Sequence, residues 1–272
     1  MTTPEFLIRQ DLRTIADESE HQIEILMAVE SGSRAWGFES PDSDYDVRFI
    51  YVNRPEWYIE RGLYPPDNRP DTKSRMSPDK LYDYHGWDLL KALHLLKKCN
   101  PSLLEWLQSP ISYAGSAPFV SELAALAGST WSPVPAFHHY RSMALTNFRE
   151  YLQGETVRTK KYLYVLRPIL AARYIVDHLK QPPLNFDELI AASDWVSPQV
   201  KTAISNLLEI KRSSSEVKDG PRDSLLHDFI ERWLINFKVY EPKFGAKVGR
   251  ADPGAFSAFL HRWLDTAWKD RD

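Results

Sequence analysis

The segment SGSRAWGFESPDSDYDVRFIYV, residues 31–52, concentrates the structural information in this 272-residue chain. It joins Gly32-Ser33 and a second glycine, Gly37, to Ser43-Asp44-Tyr45-Asp46, which runs into an apolar stretch suited to a strand. Asp44 and Asp46 stand two apart at the start of that strand, and the period-2 alternation of extended chain puts both carboxylates on one face. Two carboxylates on one face can share a divalent metal ion. A further apolar run, Ile23 to Val29, precedes Gly32 and Ser33 and places them at a strand-to-helix turn, where free backbone N–H groups can take up an anion. A phosphate cradle and a metal platform thus lie about eleven residues apart.

Outward from this segment, apolar residues at Phe6, Leu7, Leu12, Ile15 and Ala16 predict an amphipathic helix over 6–18. Residues 22–31 read as a buried strand, 32–38 as a turn with a short helix, and 44–52 as the next strand. The stretch 53–78 carries five prolines and little periodicity, and reads as a long polar loop. A short strand resumes over 80–84 with Asp83 in it. Gly86-Trp87-Asp88 reads as a turn, with Asp88 capping a helix that bears Leu89, Leu90, Leu93 and Leu96. Asn100-Pro101 opens another short helix. Beyond Ser116 every pattern suits a helix, over 118–127, 136–153, 157–180, 186–192, 198–212, 224–240 and 255–268, while 211–222 reads as an exposed loop. The expected fold class is therefore α+β, with a domain boundary that separates 1–115 from a helical region, 116–272.

Composition excludes several classes. Apolar residues make up 43% of the chain and charged residues 26%, with nine Trp and thirteen Tyr, as in a folded globular protein rich in aromatics. A single cysteine, Cys99, excludes an internal disulfide framework and any cysteine-based zinc site, and fits a reducing compartment, so the expected location is the cytoplasm. Residues 1–22 carry charges throughout and lack the apolar core of a signal peptide, and no stretch has the length of a membrane span. A formal net charge of -3 argues against a general polyanion binder, leaving room for a local basic patch. Such a patch occurs at Arg158 to Pro168, where Lys160, Tyr164 and Arg167 share a helix face beside Lys161. Cations interleaved with aromatic rings suit a nucleoside triphosphate or an RNA strand.

Other catalytic templates, among them the P-loop, the nucleophile elbow and H-E-x-x-H, are missing. His138 and His139 are sequence neighbours, which do not face each other on a helix. Glu105 lies within the apolar run SLLEWLQ, either facing solvent or bracing the Asp83 region.

Gly32-Ser33, Gly37 and Ser43-Asp44-Tyr45-Asp46 resemble the signature of the nucleotidyltransferase superfamily typified by DNA polymerase β. With Gly86-Trp87-Asp88-Leu89, Asn100-Pro101, Leu104 to Leu107 and Lys160 to Pro168, the pattern over residues 20–180 is similar to the predicted nucleotidyltransferases associated with RNA ligases in bacteria and phages. The resemblance implies a minimal nucleotidyltransferase domain, a small mixed sheet with flanking helices, followed by an all-helical partner domain. It further implies Mg²⁺ or Mn²⁺ held by Asp44 and Asp46 and a third aspartate on a later strand. Asp83 is the candidate, with Asp79 and Asp88 as fallbacks. Gly32, Ser33, Arg34, Lys160, Lys161, Tyr164 and Arg167 are the expected nucleotide ligands. The expected reaction moves a nucleoside monophosphate from an NTP, ATP first, to an acceptor hydroxyl, with an RNA 3′ end as first acceptor. A small molecule, a protein side chain, or a catalytically silent nucleotide- or RNA-binding module are the alternatives.

Overall fold

A computed structural model of the chain describes residues 3–19, 22–63, 70–213, 219–240 and 252–269. By internal packing the chain divides into two units, one of Met1–Gly32, Asp44–Thr130 and Gly249–Asp272, the other of Ser33–Ser43 and Trp131–Val248. The expected boundary at 115 falls inside the first of these. That unit retains helix α6 (Ala117–Thr130) and the C-terminal helix α12 (Pro253–Trp268).

The first unit is built on a five-stranded mixed sheet. Its strands are β1 (Ile23–Ser31), β2 (Tyr45–Asn53), β3 (Thr72–Met76), β4 (Tyr82–Asp88) and β5 (Ser112–Gly115), in the spatial order β3-β4-β2-β1-β5. β2 is central. It pairs antiparallel with β1, Ser31 opposite Asp46, and parallel with β4, Asp46 opposite Asp83. Alternation sends Val47, Phe49 and Tyr51 into a cluster with Ile8, Leu12 and Ile15 of α1 (Pro4–Asp17). Helices α4 (Leu89–Lys97), α5 (Pro101–Trp106) and α6 also pack against the sheet. α12 joins this unit through Trp268, whose indole donates to the Asn53 carbonyl at 2.9 Å, and through Trp263, edge-on to Phe119.

Two sequence expectations are corrected in this unit. Residues 53–78 are not a bare loop: they hold α3 (Pro55–Leu63) and the edge strand β3, although 64–69 lie outside the described residues. Trp57 is buried and carries Arg61 over its ring, which anchors α3. β3 is polar and largely exposed, so its strand character comes from pairing with β4 rather than from its own pattern. Gly86-Trp87-Asp88 is strand, not turn. The Phe49 ring fills the space beside Gly86, where a β-carbon would come within 2.1 Å, so a glycine permits the close packing of β4 on β2.

The second unit contains α7 (Pro133–Tyr151), α8 (Lys161–His178), α9 (Phe186–Ala191), α10 (Pro198–Ser213) and α11 (Ser224–Tyr240). It is not wholly helical. A two-stranded ribbon pairs β6 (Thr156–Arg158) with β7 (Asp219–Pro221), strands too short to show periodicity. Lys211 and Arg212, expected in a loop, belong to α10, and 214–218 lie outside the described residues. α8 is apolar on nearly every side, the signature of a helix enclosed by others. Pro168 sits inside it and cannot donate to the Tyr164 carbonyl one turn back. The amide of Asn147 on α7 donates there instead, at 2.9 Å. Among the described residues no helix is long and apolar enough to cross a membrane.

Asp88 tests the packing beneath β4. Fully buried, it accepts from Leu90 N at 2.9 Å, Asn53 Nδ2 at 2.8 Å and the Tyr58 hydroxyl at 2.7 Å. Asp88→Ala removes a helix cap and leaves two buried donors without their acceptor, and is expected to cost about 2–3 kcal/mol in chemical denaturation. Burial also raises the Asp88 pKa above the ordinary carboxylate value, so its contribution is fullest below that value and declines as pH rises through the folded pKa. Asp88→Asn is expected to flatten that decline.

Candidate active site

The end of β1 and the start of β2 build the site. Gly32 follows Ser31 with φ of +61°, a conformation that favours glycine. A second reason for glycine is contact: a β-carbon there would lie 2.0 Å from Asp46 Oδ2. The turn and the carboxylate therefore occupy touching space. Glu30, fully buried at the end of β1, accepts from the backbone N–H of Asp46 at 2.7 Å and from the Tyr113 hydroxyl. That grip fixes the point at which β2 begins.

Asp46 and Asp83 stand opposite each other on β2 and β4, and Arg48 joins them. Its Nη2 lies 2.6 Å from Asp46 Oδ1 and 2.9 Å from Asp83 Oδ2, while Nη1 donates to the Asp83 carbonyl at 3.0 Å. All three side chains are partly buried. Burial pushes the Asp46 pKa up, Arg48 opposes that, and the charges of Asp44 and Asp83 add to the rise. Asp44 is exposed at the strand entrance. Next along β4, the His85 ring accepts the Trp87 indole N–H at 3.1 Å through Nε2, which leaves Nδ1 to donate to the Ser74 hydroxyl at 2.8 Å. Burial and the nearby Arg48 charge lower the His85 pKa.

The carboxylates suit a hard divalent ion by donor type and charge. The convergence point of Asp46 and Asp83 is held by a guanidinium, and among the described residues no three Asp, Glu, His or Cys side chains gather closely enough to enclose an ion. The two fallback aspartates stand elsewhere: Asp79 closes a turn by accepting from Ser77 Oγ and Leu81 N, and Asp88 is the buried helix cap. Glu105 is buried on α5.

In the second unit, the loop that continues the signature is closed by its own serines. Ser33 is buried, with its hydroxyl 3.3 Å from that of Ser43, and Ser43 accepts from Ser40 N at 2.9 Å. Arg34 donates to the Ser43 carbonyl at 2.6 Å. The face predicted from Lys160, Tyr164 and Arg167 meets this loop through rings. Tyr164 packs edge-on to Trp36 and Phe38, and the Arg167 guanidinium lies 4.3 Å above Trp36. Arg167 is only 2% exposed and donates to the Leu184 carbonyl. Lys161 sits over the rings of Tyr151 and Tyr164, and Lys160, at the start of α8, is partly exposed. Lys211 and Arg212 donate to the Phe38 and Gly37 carbonyls at 2.7 and 2.6 Å, and Phe186 N donates to the Trp36 carbonyl at 2.9 Å. His138 and His139 take part in ring contacts with Phe137 and Tyr140.

Sequence reasoning missed Glu30 and Arg48. The alternation that pairs Asp44 with Asp46 extends to residue 48, so a signal for Arg48 existed. Glu30 announces itself only as an acid closing an apolar strand.

A Gly-Ser turn after one strand and Asp-x-Asp opening the next, in a small mixed sheet, is the arrangement implied by the polymerase β resemblance. The profile of the family described as "RNA repair pathway DNA polymerase beta family" matches residues 7–254, and the chain belongs to that family. It is 40% identical over 261 residues to the uncharacterised protein YcgL of Bacillus subtilis (strain 168), covering 93% of this chain and 94% of the relative. A crystal structure of a nucleotidyltransferase-like protein from Exiguobacterium sibiricum 255-15 aligns over 97% of this chain and 81% of its own. At 12% identity and a TM-score of 0.28, that alignment carries no weight.

Arg167 separates a packing role from a surface one. Arg167→Ala removes a buried cation from the face of Trp36 and is expected to destabilise the protein by about 2–4 kcal/mol, whereas Lys160→Ala should leave stability within about 0.5 kcal/mol. Thermal and chemical denaturation of the two variants checks the contrast.

Proposed function

We propose that this protein is a metal-dependent nucleotidyltransferase that moves a nucleoside monophosphate from an NTP, ATP first, to the hydroxyl of an RNA 3′ end, releasing pyrophosphate. The observation that carries the reading is the convergence of Asp46 and Asp83 from two paired strands beside the Gly32 turn. Membership of an RNA-repair polymerase β family supports the RNA acceptor.

In this reading Asp44, Asp46 and Asp83 hold Mg²⁺ or Mn²⁺, which when bound neutralises phosphate charge and lowers the barrier to attack. Asp83 accepts the proton of the acceptor hydroxyl. Glu30 keeps Asp46 in place through its backbone. The backbone N–H groups of the Gly32-Ser33 turn, with Arg34, are the proposed phosphate ligands, and Lys160 and Lys161 are the cations proposed to bind nucleotide or RNA. Tyr164 and Arg167 serve by holding Trp36 and Phe38 of the signature loop.

A second reading has one observation in its favour: a site whose two converging carboxylates are already paired with Arg48 suits a silent nucleotide- or RNA-binding module. Incubation with labelled NTPs, Mg²⁺ or Mn²⁺ and total RNA distinguishes the two by pyrophosphate release. Label appearing on a small molecule or on protein instead of RNA would reassign the acceptor.

Asp44→Asn and Asp46→Asn are each expected to abolish transfer while the fold persists, and Asp83→Asn to lower kcat more than nucleotide affinity. Fully active folded variants would overturn the assignment. For Lys160→Ala with Lys161→Ala, an RNA-binding role predicts weaker acceptor affinity and a salt slope lower by about one unit per phosphate contact removed. An NTP-binding role predicts a raised NTP KM with little change in slope. Rates measured across a salt series read both.

A further inference from the structure

We propose that Arg48 is the resident counter-ion of the carboxylate site, and that it must release Asp46 and Asp83 before a divalent ion binds there. This rests on the metal-dependent reading above and adds to it a competitor built into the protein.

The geometry carries the inference. A single nitrogen, Arg48 Nη2, touches Asp46 Oδ1 and Asp83 Oδ2 at once, at 2.6 and 2.9 Å. An ion bridging the two carboxylates would need those oxygens and that point in space. The two cannot share it, because a cation at bonding distance from both oxygens would meet the guanidinium head-on. Arg48 is also not loosely placed: Nη1 donates to the Asp83 carbonyl at 3.0 Å and contacts the Val47 carbonyl at 3.3 Å. Moving it breaks backbone contacts as well as ion pairs.

Charge explains why such a residue stands there. Asp44, Asp46 and Asp83 bring like charges together at the ends of adjacent strands, where they repel one another. Without an ion, that repulsion acts against the pairing of β2 with β4 at the point where the parallel register begins. A guanidinium fork relieves it and keeps both carboxylates aimed at one point. Once released, Arg48 remains on the same strand face, where an incoming triphosphate supplies the anion that the aspartates no longer offer. Ion and triphosphate together should therefore displace it more readily than the ion alone.

The test is Mn²⁺ binding without nucleotide, followed by electron paramagnetic resonance of free Mn²⁺, in the unaltered protein, Arg48→Gln, Arg48→Lys and Asp46→Asn. Competition predicts that Arg48→Gln binds Mn²⁺ about tenfold or more tightly than the unaltered protein. Arg48→Lys, whose ammonium lacks the fork, should fall between them. Thermal denaturation without metal should show Arg48→Gln melting lower, with Mn²⁺ restoring more stability to it than to the unaltered protein. Should Arg48→Gln not fold, Arg48→Lys carries the comparison alone. Equal or weaker Mn²⁺ binding in the Arg48 variants, with binding lost in Asp46→Asn, overturns the competitor role and leaves the metal site standing. No Mn²⁺ binding in any of the proteins overturns both.

Discussion

The absence of a side chain on Gly32 is the constraint from which the site follows. Asp46 Oδ2 occupies the space that any β-carbon at position 32 would claim, and the positive φ at Gly32 turns the chain away from β1 at that point. With the turn against the carboxylate, β2 starts opposite Ser31 and meets β4 with Asp46 opposite Asp83. Glu30 then secures the first peptide of β2, and Arg48, two residues further on the same face, spans to the neighbouring strand. The register of β2 against β1 and β4 thus places the carboxylates, and the side chains of Glu30 and Arg48 hold them there.

The second unit treats its share of the signature differently. From Ser33 to Ser43 the chain is held by a ring cluster, by the buried Arg167 lying over Trp36, and by the buried Lys211 and by Arg212, which donate to its carbonyls. Burying a cation is costly unless its hydrogen bonds are met. Here the acceptors are loop carbonyls and aromatic faces, which lack partners in regular secondary structure. A loop with a glycine at its middle, Gly37, would otherwise sample many conformations. The cations thus restrict a segment whose backbone N–H groups have a proposed ligand.

How much could be read in advance followed from whether a residue's neighbours are local. β1, β2, α1 and the later helices show their periods in a few turns of chain, and the strand spacing of Asp44 and Asp46 is a local fact. Arg48 belongs to the same alternation and is legible, yet an arginine in a strand looks like an ordinary surface charge until Asp83 on the neighbouring strand meets its guanidinium. Gly86 looked like a turn because the Phe49 ring that displaces its side chain lies thirty-seven residues earlier in sequence. β3 and the β6–β7 ribbon carry no pattern of their own and become strands by pairing. Arg167 matched the expected face, but a cation beside tyrosines reads the same whether it awaits a phosphate or lies buried on Trp36.

The proline within α8 bears on how far that helix is a unit in its own right. The Tyr164 carbonyl, deprived of its usual donor by Pro168, is completed by Asn147 from α7. A helix that borrows a hydrogen bond from its neighbour cannot be whole before the neighbour arrives. α7 and α8 are in this respect a single two-stemmed piece, and the segment bearing Lys161, Tyr164 and Arg167 takes its final form only when the pair has closed.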